Sequence, residues 1–407
     1  MQKQALNGLK VVGFVEAGVG PLTLKALATH GATVVVIESE KRPHMNRVSG
    51  PFKDDKPGLN RSYSFAFTNS DRYDMLLDLK HPRVNEVTRR LVSWADIFVD
   101  NWRPGVMENW GLSYEKVSEI NPEIIMMGLS HEGHTGPHRT VAGAGAVLSG
   151  YCGMIHLTGW PDRPPVTLGA RGILPDLVSP RFGVIAALAA LDYRKKTGKG
   201  QYIDISEYEV AIQFLTPSIL ENTVNKRVMN RDGNRCLYAA PHGVYRCKGD
   251  DRWCAIAVFS DSEWEVFCQV IGNPAWTQDI KFSTLSKRKE NEDELNELVE
   301  EWTRNHAAEE VMMMMQQAGV GAGPVRGTGD IVENCPQLKY RNHWRKLEHS
   351  EMGETLYQGS PYILSKTPYQ LQRPAPCFGE HTEYVCTEFL GMTDKEFIEL
   401  YQEGVFS

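Results

Sequence analysis

The chain has 407 residues, enough to bury more than one core. Its 44 basic and 51 acidic side chains leave a formal charge of −7, a poor balance for general nucleic-acid binding. Its eight cysteines are scattered, with no CxxC pair and no histidine cluster at metal spacing, so they read as reduced thiols of a cytoplasmic protein rather than a disulfide framework or a zinc site. No long apolar segment opens the chain, and the longest helical apolar run, Val184 to Leu191, is too short to span a bilayer, so neither a membrane nor a signal peptide is expected.

In chain order, Leu9–Val15 reads as a strand, Glu16–Pro21 as a loop, Leu22–His30 as a helix stopped by Gly31, and Thr33–Glu38 as a strand buried on both faces. This is a βαβ opening of doubly wound type. The loop has glycines at 18 and 20 and an acid, Glu38, about twenty residues on. However, Thr23 stands at the third glycine position and Pro21 follows the second glycine, so the match to a dinucleotide fingerprint is poor. Residues 41–64 read as a polar surface excursion, and 69–80 end in a short strand carrying Lys80. Pro82–Trp94 is an amphipathic helix and Ala95–Asn101 a third buried strand, followed by the turn Trp102-Arg103-Pro104-Gly105. Open α/β sheets bind ligands at the carboxyl edge of their strands. Lys80 and Arg103 therefore suit phosphate contacts, although solvated surface charge is the commoner fate of such residues. A fourth strand, Ile124–Leu129, leads into a loop with His131, His134 and His138. With no acid or cysteine partner at ligand spacing, a metal site is not expected there. Ala142–Gly150 is small and apolar and is expected to pack tightly.

The stretch from Pro164 to Glu209 organises the rest. Ser179-Pro180 reads as a helix start, Arg194, Lys195 and Lys196 suit the last turn, Gly198 stops the helix, and Gln201–Ser206 is a strand. The lone acid Asp176 is expected in the loop before the helix N-terminus, where it could be a cap or a functional carboxylate. From Ala239 the texture changes. Alternating strands (243–246, 253–258) and helices near 261–271, 291–305 and 308–318 indicate a second, smaller α+β domain over 228–330, with Met312–Met315 as helical core.

Taken together, LNGLKVV…GVGP (6–21), LDLK (77–80), ADIFVDNWRPG (95–105), PDLVS (175–179), KTGKGQYIDIS (196–206), GVYRCKGDDRW (243–253) and APCFGEHT (375–382) resemble the family III CoA-transferases, the carnitine, bile-acid and formate–oxalate group. The resemblance implies a Rossmann-like large domain made of residues 1–210 and 331–407, a linker helix over 211–227 and the small domain. It also implies an interlocked dimer, or a heterodimer or heterotetramer with a related subunit. It implies coenzyme A thioesters and carboxylic acids as substrates, with no tightly bound cofactor and no metal. By the same match Asp176 would be the catalytic nucleophile, passing through anhydride and aspartyl-CoA thioester intermediates. Ala17, Val19, Arg47, Leu79, Lys80, Asn101 and Arg103 would line the CoA site, and backbone N–H groups around 133–136 or 143–145 would serve developing oxyanions.

Three features depart from the pattern. Pro175 replaces the usual glycine before the aspartate. The glycine-rich flap of the oxalate enzymes is missing between Met229 and Ala240. Small apolar residues, Ala142–Ala146, stand where those enzymes carry an acid. The last two favour a bulkier acceptor acid in an apolar pocket, such as a substituted succinate of the benzylsuccinate kind. Two rival readings remain: an α-methylacyl-CoA racemase, whose second acid/base position falls near Val141, and a non-catalytic CoA-binding subunit.

Overall fold

The computed structural model describes residues 3–167 and 174–407. The chain divides into two compact units, one of Met1–His156, Val166–Met229 and Gln337–Ser407, the other of Leu157–Pro165 and Asn230–Pro336.

The first unit is built on six parallel strands: β1 (Lys10–Phe14), β2 (Thr33–Glu38), β3 (Tyr73–Leu76), β4 (Ile97–Asp100), β5 (Ile125–Ser130) and β6 (Gln201–Ser206). They lie in the order β3-β2-β1-β4-β5-β6, so the direction of winding reverses between β1 and β4. That switch point opens a crevice beyond the carboxyl ends of both strands. Successive side chains go to opposite faces. Val12, Phe14, Val35, Phe98 and Met126 pack on one face with the Val84–Trp94 helix and the C-terminal residues Val385, Leu400 and Val405. Val11, Val34, Val36, Val99 and Met127 pack on the other with the Val19–Ala28 and Leu174–Thr197 helices. The doubly wound α/β expectation therefore holds, and the strands are as buried as their apolar runs imply.

The second unit holds the antiparallel strands β7 (His242–Arg246), β8 (Trp253–Ala257) and β9 (Gly321–Pro324). The Asp261–Val270, Glu292–Thr303 and Ala308–Gln317 helices enclose Phe267, Phe282, Leu295, Val299 and Met315. This is the α+β texture expected of the region, and Met315 is core while Met313 faces solvent.

Several expectations need correction. The first helix begins at Val19, so Pro21 lies in its first turn, where its missing N–H costs no intrahelical bond. The long helix begins at Leu174, so Asp176 is in its first turn and Pro180 lies inside it, while residues 168–173 of the expected loop lie outside the described residues. At 24 residues this helix is long and apolar enough, by length and composition alone, to cross a bilayer. Reading its apolar run as Val184 to Leu191 missed that. Its Gly183, Ala187 and Ala190 face inward, as in a core helix. Ala142, Ala144 and Ala146 are exposed rather than tightly packed.

Residues 41–64 are not merely a surface excursion. Arg47 is fully buried, donating through Nε to both Glu38 oxygens at 3.0 Å and through Nη2 to Asp74 at 3.1 Å. Its Nη1 bonds the Leu59 carbonyl and the Asn60 side chain, and its plane lies 3.6 Å from the Phe65 ring centroid. Burial alone would raise the Glu38 carboxyl, but the Asp74 hydrogen bond and the Arg47 guanidinium hold it below the usual carboxylate range. Burial and the neighbouring Glu38 push the Asp74 carboxyl up. Removing one member of such a cluster strands a buried charge. Arg47→Met is expected to lower unfolding stability by about 3–5 kcal/mol, measured by urea denaturation.

Candidate active site

The crevice at the switch point is walled by the turns after β1, β4, β5 and β6. The turn after β1 is held by a reciprocal amide pair: Glu16 N–H donates to Asn101 Oδ1 at 2.7 Å, and Asn101 Nδ2 donates to the Glu16 carbonyl at 2.8 Å. Ala17 follows with φ of 58°, in the left-handed region that disfavours a side chain, and its carbonyl accepts from Asn46 Nδ2. Gly18 then lets Asp176 come close: a Cβ on Gly18 would lie 3.3 Å from Asp176 Cβ and 3.4 Å from its Oδ2. A second close approach lies further along the same two helices, where a Cβ on Gly183 would meet Thr23 Oγ1 at 3.1 Å.

Asp176 lines a cavity of about 210 Å³ together with Ala17, Val19, Asn101, Arg103 and Glu207. A neighbouring cavity of about 440 Å³ holds Leu79 and Lys80. The two share Glu16, Arg42 and Trp102 as walls, with Arg42 stacked 4.6 Å from the Trp102 ring and paired to Glu16 at 3.2 Å. Six of the seven expected contact residues thus line two neighbouring cavities with shared walls, and Asp176 lines the smaller of them. Arg47 does not: its side chain is fully buried and committed to Glu38 and Asp74, so its expected role as a nucleotide contact is replaced by a structural one. Asn101 reaches the cavity wall, but its amide is engaged in holding the β1 turn. Arg103 is exposed, as a residue meeting a charged ligand must be. Of the glycines proposed for oxyanions, Gly143 lines the Asp176 cavity and Gly133 and Gly136 do not. A larger cavity, about 640 Å³, lies within the second unit, lined by Glu297, Glu300, Glu301 and Arg304. Its charges resemble a solvated rim, and the Asp176 cavity carries the stronger chemical argument.

Among the residues of this cavity that were not expected, Glu207 and His131 matter most to its chemistry. Glu207, at the carboxyl end of β6, is 2% exposed. His131, weighed only as a metal ligand, also lines the wall, with Nε2 at 3.8 Å from Glu207 Oε1. Among the described residues no group of three or more His, Cys, Asp or Glu side chains is arranged to hold a metal. The sheet-edge rule that singled out Arg103 applies equally to Glu207, the first residue after a strand. Burial pushes the Asp176 carboxyl up to about 6. Burial and then the Asp176 charge push Glu207 well above the carboxylate range, and burial followed by Arg103 lowers His131.

The raised Asp176 value has a stability cost of definite sign. The folded state holds this proton more tightly than the unfolded chain, whose carboxyl titrates near the ordinary 3.8. Stability is therefore given up as pH rises from that value through about 6. Asp176→Asn is expected to unfold later than the parent at pH 8 by about 1–2 kcal/mol, allowing for partial exposure. Thermal melts across pH should show the gap closing below about pH 4.

Comparison with known proteins gives this geometry its context. The family description CoA-transferase family III matches residues 6–382. Succinyl-CoA–D-citramalate CoA-transferase of Chloroflexus aurantiacus is 30% identical over 386 residues, covering 95% of this chain and 94% of that protein. The beta subunit of succinyl-CoA–L-malate CoA-transferase from the same organism is 28% identical and covers 98% of each chain. The crystal structure of a CAIB/BAIF family protein from Brucella suis superposes with a TM-score of 0.87 at 28% identity, covering 95% of this chain and all of that one. With the family match spanning nearly the whole sequence, the chain belongs to CoA-transferase family III.

Proposed function

We propose that this CoA-transferase moves CoA from succinyl-CoA to a dicarboxylic acid of the substituted-succinate class, with Asp176 as its nucleophile. The observation that carries the reading is Asp176 in a cavity that shares walls with its neighbour, the two together presenting Lys80, Arg42 and Arg103, cations spaced along the path an anionic, phosphate-bearing thioester would take. An Asp176 oxygen attacks the thioester carbonyl, and the tetrahedral adduct breaks its C–S bond, releasing CoA as the thiolate and leaving the acyl–aspartyl anhydride. The thiolate attacks the Asp176 carbonyl, releasing the donor acid as carboxylate and leaving an aspartyl-CoA thioester. The acceptor carboxylate attacks that thioester and expels the thiolate, which then takes the acceptor acyl group and restores Asp176. No proton is gained or lost overall. A carboxylate is a weak nucleophile, so orientation must supply much of the rate.

The names of the relatives support the substrate class, since D-citramalate and L-malate are short dicarboxylic acids taking CoA from succinyl-CoA. Arg139 suits the acceptor's second carboxylate, while Val141 and Gly143 on the same wall leave room for an alkyl or aryl substituent, benzylsuccinate being one example. Exposed apolar side chains along two helices of the first unit support assembly with a second copy or a related chain: Ile185 and Leu188 on one, Ile219, Leu220 and Val224 on the other. We place the protein in the cytoplasm, where its eight free thiols would stay reduced.

A second reading, the racemase, gains from the His131–Glu207 pair facing Asp176, because α-proton exchange needs two acid/base groups across one cavity. Deuterium uptake at the α-carbon of a 2-methylacyl-CoA, without CoA transfer, would favour it.

Mixing the protein with succinyl-CoA without acceptor, then digesting it, should yield CoA on the peptide containing Asp176 by mass spectrometry; Asp176→Ala should yield none. The rate of adduct formation should fall as pH drops below about 6, following protonation of that carboxyl. Gly18→Val should slow adduct formation by about tenfold or more with little change in melting temperature, since its side chain enters the space held by Asp176.

A further inference from the structure

The proposed chemistry uses one carboxyl, yet the cavity contains two. Glu207 is the first residue of the Glu207–Gln213 helix, whose cap is Ser206, with the Glu209 N–H donating to Ser206 Oγ at 3.2 Å. The Ser206 hydroxyl donates to the His131 carbonyl at 3.3 Å, and the Tyr208 N–H donates to the same carbonyl at 2.8 Å. The end of β6 is thereby tied to the turn after β5, and the Glu207 side chain is fixed in the cavity wall. It is 2% exposed, far less accessible than the half-buried Asp176. Each acid has one buried oxygen without a hydrogen-bond partner, Oε2 of Glu207 and Oδ1 of Asp176.

We propose that Glu207 is the positioning acid of this site: it keeps its proton, so that the two carboxyls carry a single negative charge and that charge rests on Asp176. The inference rests on the transferase reading and deepens it. Two carboxylates sharing a small, poorly hydrated cavity cannot both ionise cheaply, and the more buried of the two retains the proton. Among the titratable and charged groups around the cavity, Glu16 and Arg42 pair with each other, and Arg103, Glu132 and Arg139 lie on its outer walls. Among the described residues, the group nearest to offering Glu207 a counter-charge is His131, and burial and Arg103 favour its neutral form, so none of these residues is placed to stabilise a Glu207 anion. A neutral Glu207 has two effects. It leaves Asp176 free to be the attacking anion, and it supplies a donor where negative charge develops on the Asp176 oxygen during thiolate attack on the anhydride. An ionised Glu207 would oppose both. The proton stays on Glu207 throughout, so the balance of the transfer is unchanged.

The test is the pH profile of single-turnover CoA capture from succinyl-CoA, from about pH 5 to about pH 9, in the wild type, Glu207→Gln and Glu207→Leu. Glu207→Gln, a permanently neutral donor, should keep the acid limb where the wild type has it and should lack any alkaline decline the wild type shows. Glu207→Leu, which cannot donate, should capture CoA about tenfold more slowly or worse while binding free CoA as tightly. An acid limb lowered by about one pH unit in Glu207→Gln would mean that Glu207 is charged in the working enzyme and would overturn the proposal. So would a Glu207→Leu variant as fast as the wild type. If neither variant folds, difference infrared spectroscopy of the wild type should show a protonated-carboxyl band that shifts when the adduct forms, and an unmoved spectrum would count against the assignment. A wild type that forms no adduct would sink the transferase reading instead. In that case the infrared difference between wild type and Glu207→Gln, titrated with pH, still reports whether Glu207 is protonated at neutrality.

Discussion

The helix after β1 and the helix before β6 approach each other closely at Thr23 and Gly183, where an added Cβ would lie 3.1 Å from Thr23 Oγ1, and the turn before the first of them closes in again at Gly18 and Asp176. That contact fixes where the acid stands. It requires small residues at both points, and it requires the turn after β1 to stay in one conformation. The Asn101–Glu16 amide pair maintains that turn by joining the ends of β1 and β4 on either side of the switch point. A parallel sheet supplies the crevice for free. The glycines and the amide pair turn it into a site with a carboxylate at one defined depth.

Depth then decides chemistry. Asp176 is buried enough for its carboxyl to be less well hydrated than a surface acid, and still open enough to ionise near neutrality. Burial and the Asp176 charge push the far less accessible Glu207 well above the carboxylate range. Two carboxyls in two degrees of exposure line one cavity, and the difference in burial sets their titrations apart.

Much of this was legible in the sequence. The continuous apolar run of Thr33–Glu38 marked β2 to the residue, because a strand buried on both faces leaves no ambiguity of pattern, and the alternation of Gln201–Ser206 marked β6. The long helix was misread at its start because Pro180 imitates an N1 proline. Tertiary packing carries the helix a turn and a half further back, and Asp176 with it. Arg47 could not have been placed from its polar neighbourhood, since its partners Glu38 and Asp74 are brought to it only by the β2–β3 pairing. Glu207 and His131 escaped notice for a related reason. They meet through the register of β5 against β6, where Ser130 lies opposite Ser206, and no spacing rule along the chain reports that alignment.

The returning C-terminal segment has a consequence for how the chain is made. β3 is an outer strand of the parallel sheet, and residues from the far end of the chain cover it. His381 N–H donates to the Asp74 carbonyl, Leu76 N–H to Thr382 Oγ1, Asp78 N–H to the Val405 carbonyl, and Arg47 to the Pro376 carbonyl. During synthesis the first six strands leave the ribosome well before those partners exist. Until the last residues emerge, β3 presents open backbone donors and Asp74 lacks part of its shell. The nascent chain therefore passes through a stage with an adhesive sheet edge. A ribosome that stalls or terminates early would release a sheet that is nearly complete and unprotected. Residues 376–405 act as a built-in closure whose arrival ends that vulnerable interval.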